Sequence, residues 1–158
     1  MKNQSRVLVL MLLVSIPLVL GSLTNLFTGD ARGFFDSLTK PLLSPPGYVF
    51  PIVWTILYLL MGVSSCIIYQ KKDQDKSAVT ALGVYYAQLI VNLLWSFIFF
   101  GMQALMTAFW VLIVLWILIA VMINMFLKIN KFAAYIQVPY LIWVTFAGYL
   151  NLTIALMN

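Results

Sequence analysis

The sequence predicts an all-α integral membrane protein, a bundle of five transmembrane helices. Three observations predict it. Of the 158 residues 64% are apolar and only 8% charged, whereas about a quarter of the residues in a soluble domain are charged. Five runs reach the length of about 20 mostly apolar residues that a span requires. Every charged residue falls in a terminus or in a connection between those runs. At this length a single membrane domain, 1–158, is the natural organisation, with no room for a soluble domain beside it.

The first run, Val7–Phe27, follows "MKNQSR". It is too long for the apolar region of a signal peptide, and "VLGSLT" is a poor cleavage site, so it reads as a helix. A long connection, 28–47, comes next and holds Phe34, Phe35, Leu38, Leu42 and Leu43. Apolar side chains in a loop need a cover, which predicts a lid folded over one end of the bundle. The second span, Tyr48–Tyr69, opens with Pro45, Pro46 and Pro51 just ahead of Trp54. Proline fixes its own φ and has no N–H, so the first two stiffen the approach and the third fits a first helical turn. Ala78–Gly101, Ala104–Leu127 and Phe132–Met157 complete the set, joined by short connections that force antiparallel neighbours.

Charge alternates along these connections. The N-terminus (Lys2, Arg6), "QKKDQDK" (Lys71, Lys72, Lys76) and "KINK" (Lys128, Lys131) hold seven basic residues on one side; on the other, Arg32 and Lys40 are offset by Asp30 and Asp36. Basic loops stay in the cytoplasm, which places the N-terminus inside and the C-terminus outside. Without an arginine-rich transit segment, a bacterial plasma membrane is the expected location. The charge of +5 therefore reads as membrane orientation and not as nucleic-acid binding.

Composition excludes much chemistry. Histidine is absent and Cys66 is the single cysteine, so the usual metal and haem ligands, a disulfide framework and an imidazole base are missing. No Asp, Glu, Lys or Arg lies within a span, which disfavours a proton-coupled exporter. Polar and aromatic residues instead recur at helical spacing: Pro51, Trp54, Tyr58 and Ser65 in the second span; Tyr85, Gln88, Asn92, Trp95 or Ser96, and Phe99 in the third; Tyr140, Trp143, Ala147, Leu150 or Asn151 in the fifth. Amides are costly in hydrocarbon unless bonded, so these faces should turn inward around an aromatic, uncharged pocket. Gly83 and Ala87 form a small-xxx-small pair suited to a partner helix.

Three blocks, "FFDSLTKPLLSPPGYVFPIVWTILYLLMG", "YYAQLIVNLLWSFIFF" and "VPYLIWVTFAGYLNLTIALMN", resemble in kind and order the signatures of the translocator protein family, also known as tryptophan-rich sensory proteins or the peripheral-type benzodiazepine receptor family. The most specific parts are Lys40-Pro41 with Pro45-Pro46, Val53-Trp54-Thr55, Asn92 with Trp95-Ser96, and Pro139-Tyr140 with Trp143. The resemblance implies a cavity opening toward the first loop and lined by Trp54, Asn92, Trp95, Trp143, Ala147 and Leu150 beneath Phe35, with Trp54 and Asn92 offering hydrogen bonds and Trp143 a ring face. It implies tetrapyrroles, protoporphyrin IX or haem, and isoquinoline or benzodiazepine-type compounds as ligands, with no cofactor required, and a homodimer through Gly83 and Ala87 of the third helix. The chain departs from the pattern at Phe34-Phe35 and Leu43, where the family carries other aromatics, and at Leu152 and Leu156, which replace the tyrosine and arginine of the animal sterol motif. A receptor or sensor is the leading expectation. The alternatives are light- and oxygen-dependent breakdown of protoporphyrin, with Trp54 and Trp143 as candidate catalytic residues, and passive transport of tetrapyrroles or lipid-like solutes.

Overall fold

The computed structural model describes residues 11, 13–23 and 28–158. Among these the chain is helical throughout, with no strand. An apolar helix α1 covers Leu13–Leu23; the remainder of the expected first span lies outside the described residues. A short α2, Ala31–Ser37, is followed by α3, Val49–Tyr69, and α4, Ser77–Ser96. The chain then runs through a π-turn, Phe97–Gly101, into α5, Leu105–Ile129. A short α6, Lys131–Tyr135, precedes α7, Val138–Met157.

Among the described residues four helical stretches are long and apolar enough to cross a membrane: Val49–Tyr69, Ser77–Gly101, Leu105–Ile129 and Lys131–Met157. The protein is an integral membrane protein. The shorter α1 is the described part of what the sequence suggests is a fifth span. Large side chains such as Ile90, Ile117 and Ile142 remain exposed, facing what would be lipid.

Packing follows the apolar repeat of each helix. Helix α5 lies against both α4 and α7, and α3 against α4 and α6. Polar clamps fix the far end: the Ser64 hydroxyl donates to the Ala133 carbonyl at 2.7 Å, and Gln137 Nε2 to the Leu60 carbonyl at 3.2 Å. The break between α6 and α7 precedes Pro139, whose missing N–H and ring disfavour continuing the helix through that turn. Asn130 restarts the chain, its side chain accepting from the Ala133 N–H at 2.9 Å. Helices α1 and α3 touch at Gly62, where a Cβ would lie 2.7 Å from the Val14 Cα.

The connection 28–47 holds a true helix. Asp30 caps α2 by accepting from the Gly33 N–H at 2.9 Å, the usual role of aspartate before a helix. At its other end Lys40 Nζ donates to the carbonyls of Phe35 and Asp36 at 2.8 and 3.3 Å, a cation on the terminal carbonyls. Asn158 then ties the segment to α7: the Thr39 N–H donates to its Oδ1 at 2.9 Å, and its Nδ2 to the Thr39 carbonyl at 3.1 Å. Phe35 is buried and Phe34 and Leu38 pack on the core. Leu42 and Leu43 do not: both stay exposed on the turn after Pro41, so the cover expected for all five apolar residues extends to three.

Candidate functional site

Beneath α2 lies a cavity of about 590 Å³, within the range of about 300–1,000 Å³ usual for small-molecule sites. Each wall is a helix face read at steps of three and four. Helix α3 contributes Phe50, Pro51, Trp54, Thr55 and Tyr58; α4 and its π-turn contribute Asn92, Trp95, Ser96, Phe99 and Phe100; α7 contributes Ala147, Leu150, Asn151 and Ile154. Leu18, Gly21 and Ser22 of α1 close a further side. The roof is residues 28–32 with Phe35, Gly47 and Tyr48.

The π-turn explains how two adjacent phenylalanines reach one cavity. An α-helix would turn Phe100 about 100° away from Phe99. Here the Met102 N–H donates five residues back to the Phe97 carbonyl at 2.9 Å, and the widened turn presents both rings, 4.8 Å apart. Such bulges are frequent at functional sites. Phe99 also meets Phe34 of α2 at 6.2 Å, so the same turn seats the lid.

Aromatic rings form a continuous lining. Trp54 lies 5.5 Å from Tyr58, 6.1 Å from Trp95 and 6.2 Å from Tyr140 by ring centroid, spacings at which aromatic pairs attract beyond their burial. Trp95 continues to Phe99 at 5.7 Å.

The polar groups converge on Asn92. Its Oδ1 accepts from the Tyr58 hydroxyl at 3.0 Å, and its Nδ2 donates to the Tyr140 hydroxyl at 3.1 Å, which in turn donates to Gln88 Oε1 at 2.8 Å. One side chain thus joins α3, α4 and α7. A second junction lies nearer the lid, where Trp95 Nε1 donates to Asn151 Oδ1 at 3.1 Å and Asn151 Nδ2 donates to the Leu105 carbonyl at 2.7 Å. An amide has two N–H donors and two lone pairs on its oxygen; the protein uses one of each at Asn92, which leaves capacity for a ligand. The indole N–H of Trp54 has no hydrogen-bond partner among the described residues. Asp30 and Arg32, both on the roof, are the charged residues of the lining. Among the described residues the floor and walls carry no charged side chain, which suits them to holding a flat apolar body by stacking and a few hydrogen bonds.

Six of the residues singled out in the sequence, Trp54, Asn92, Trp95, Ala147, Leu150 and Phe35, line this cavity. Trp143 does not. It sits behind Phe50, ring centroids 5.9 Å apart, and its Nε1 is buried without a hydrogen-bond partner. Phe50, not Trp143, therefore presents the ring face on that side of the cavity. Gly83 and Ala87 lie on the outer face of α4, and a Cβ on Gly83 would meet nothing within 4 Å. Asn151 was already drawn on the face of the fifth span, and Phe50, four residues before Trp54, was recoverable as an extension of the α3 face. The residues of α1 and the roof carry no such periodic signal.

The model of the TspO/MBR family matches residues 13–157. Tryptophan-rich protein TspO of Chlorobaculum tepidum is 35% identical over 97% of this chain and 98% of its own length. The tryptophan-rich sensory protein of Cereibacter sphaeroides is 38% identical over 79% of this chain and 77% of its own. The translocator protein of Ovis aries is 33% identical over 81% and 76%.

Proposed function

The chain belongs to the TspO/MBR family, and from that premise we propose that it is a membrane receptor for a flat, largely apolar ligand held in the cavity under α2. Protoporphyrin IX is the first candidate, with haem and isoquinoline or benzodiazepine-type compounds in the same class. The observation that carries the reading is the 590 Å³ lining of Phe50, Trp54, Trp95 and Phe99 with Asn92 at its floor: large ring faces for stacking and one amide for orientation. The reading invokes no ion-coupled step, since among the described residues the walls hold no Asp, Glu, Lys or Arg.

The proposal includes a five-span topology with α1 as part of the first span, the N-terminus in the cytoplasm and the C-terminus outside, in a bacterial plasma membrane. It also includes a homodimer. Val79, Gly83, Ala87, Ile90 and Leu94 make one exposed stripe on α4, and small residues at its centre let a second backbone approach closely.

Titration with protoporphyrin IX in the dark, followed by tryptophan fluorescence, tests the reading. Saturable quenching at micromolar ligand, about −8 kcal/mol, weakened by Trp54→Phe, supports it; linear quenching indifferent to that substitution rejects it. Repeating the titration under light in air, with loss of the porphyrin spectrum as readout, separates a receptor from a degrading enzyme.

A further inference from the structure

The end of the bundle opposite the lid is not used by the cavity, and it concentrates charge. Helices α4 and α5 are antiparallel across the short connection at 102–104, so the start of α4 and the end of α5 meet at the end of the bundle away from that connection. The α3–α4 connection brings Lys71, Lys72 and Lys76 to this end, and the junction of α5 and α6 brings Lys128 and Lys131. The contact of α6 with α3, tied by Ser64 and Ala133, draws the two groups together. Five lysines face two aspartates, Asp73 and Asp75, a surplus of three positive charges. The Asp75 carboxylate accepts from the Ser77 N–H at 2.8 Å, and among the described residues none of the five lysines forms an ion pair.

Aromatic rings sit at the same level. Phe132 and Tyr135 lie three residues apart on the outer side of α6, exposed at 63% and 61%, while Ala133 and Ala134 between them are buried. Helix α6 thus turns its small residues to the bundle and its rings outward. Tyr69 holds Lys72 by its hydroxyl at 2.7 Å and by its ring face at 4.0 Å. Exposed rings at the start of the stretch Lys131–Met157, beside lysines that form no ion pair among the described residues, suit the interface of an anionic leaflet.

We propose that this surface, Lys71, Lys76, Lys128 and Lys131 above Phe132 and Tyr135, is a binding site for anionic phospholipid headgroups with their acyl chains in place. It is independent of the ligand assigned to the cavity. Lipid is recognised by several lysines sharing one or two phosphates while the rings pack on the glycerol and upper chain.

The protein in neutral detergent is equilibrated with equal amounts of phosphatidylglycerol and phosphatidylcholine, and co-purifying lipid is quantified by mass spectrometry. Enrichment of phosphatidylglycerol by about tenfold or more at low salt, as expected for several lysines near a headgroup, collapses in the Lys71→Gln/Lys128→Gln/Lys131→Gln variant and survives in the matching Lys→Arg variant. Should the glutamine variant fail to fold, enrichment in the wild type that disappears near 0.5 M salt gives the same answer, because exposed charges are then screened. Equal retention of the two lipids, or enrichment unmoved by both the substitutions and salt, overturns the proposal. Displacement of phosphatidylglycerol by soluble glycerol phosphate at equal concentration, or preferential capture of a hexaglutamate peptide, also overturns it by moving the surface to a soluble anion or an acidic protein.

Discussion

Removing the amide at Asn92 tests the polar junction that shapes the cavity floor. In Asn92→Ala two hydrogen bonds are lost, from the Tyr58 hydroxyl and to the Tyr140 hydroxyl. Tyr140 keeps its bond to Gln88, and Tyr58, itself part of the cavity lining, has space to turn its hydroxyl. Interhelical hydrogen bonds in membranes average about 0.6 kcal/mol, with a maximum of about 1.7. The expected loss is therefore about 1 kcal/mol, a fall in Tm of about 2–4 °C for a chain of this size. Ionised, Asn92→Asp keeps an acceptor for Tyr58 but cannot donate to Tyr140, and its charge costs about 2.5–3.5 kcal/mol at such a site. The aspartate variant should melt well below the alanine variant although it is closer in shape to the original. Thermal denaturation in detergent with helix content as readout makes the comparison. An alanine variant with wild-type Tm, or an aspartate variant as stable as the alanine one, would refute the reasoning.

Gly62→Ala places a methyl 2.7 Å from Val14 Cα and 2.8 Å from its carbonyl oxygen, so α1 must move outward; overpacking of this kind costs about 1–3 kcal/mol, and a wild-type melting curve would show that the close approach is not needed. Asn158→Ala removes both bonds to the Thr39 backbone, and hydrogen exchange should speed up over 31–39 while the spans stay protected; unchanged exchange would mean the lid is held elsewhere. Trp143→Phe deletes a buried N–H that has no partner and a ring screened by Phe50, so porphyrin affinity and Tm should stay at wild-type values; a loss as large as that of Trp54→Phe would put Trp143 at the ligand.

Helix faces were legible where the side chains carry a periodic signal. Tyr85, Gln88, Asn92, Trp95 and Phe99 alternate at steps of three and four, and all five are buried; the amides of Gln88 and Asn92 find partners there, as an amide in hydrocarbon must. Periodicity gives a direction from the helix axis and nothing finer. It could not say that Phe50 would stand between Trp143 and the cavity, since that depends on the approach of α3 to α7 and on side-chain packing. Nor could it foresee the π-turn, which changes the register after Ser96 and adds Phe100 to the wall. The break at 136–137 did have a signal, Pro139, but a run of apolar residues from Phe132 to Met157 masks it when hydropathy alone sets the boundaries. The lid was legible as apolar residues needing cover. Its helix was hidden because Ala31–Ser37 is too short for a periodic pattern, and Leu42 and Leu43 show that covering a loop need not cover every apolar residue in it.

The central claim is that ligand occupies the space beneath α2 and not the detergent or the outer surface. Ala147, 7% exposed, lines that space from α7, and Ala147→Phe would put a phenyl ring into it without removing a polar contact. The measurement is the dark protoporphyrin IX titration of this variant beside the wild type, with helix content and melting recorded on the same samples. A folded Ala147→Phe protein that has lost saturable quenching is the predicted result; a folded variant that binds as the wild type does would contradict the claim.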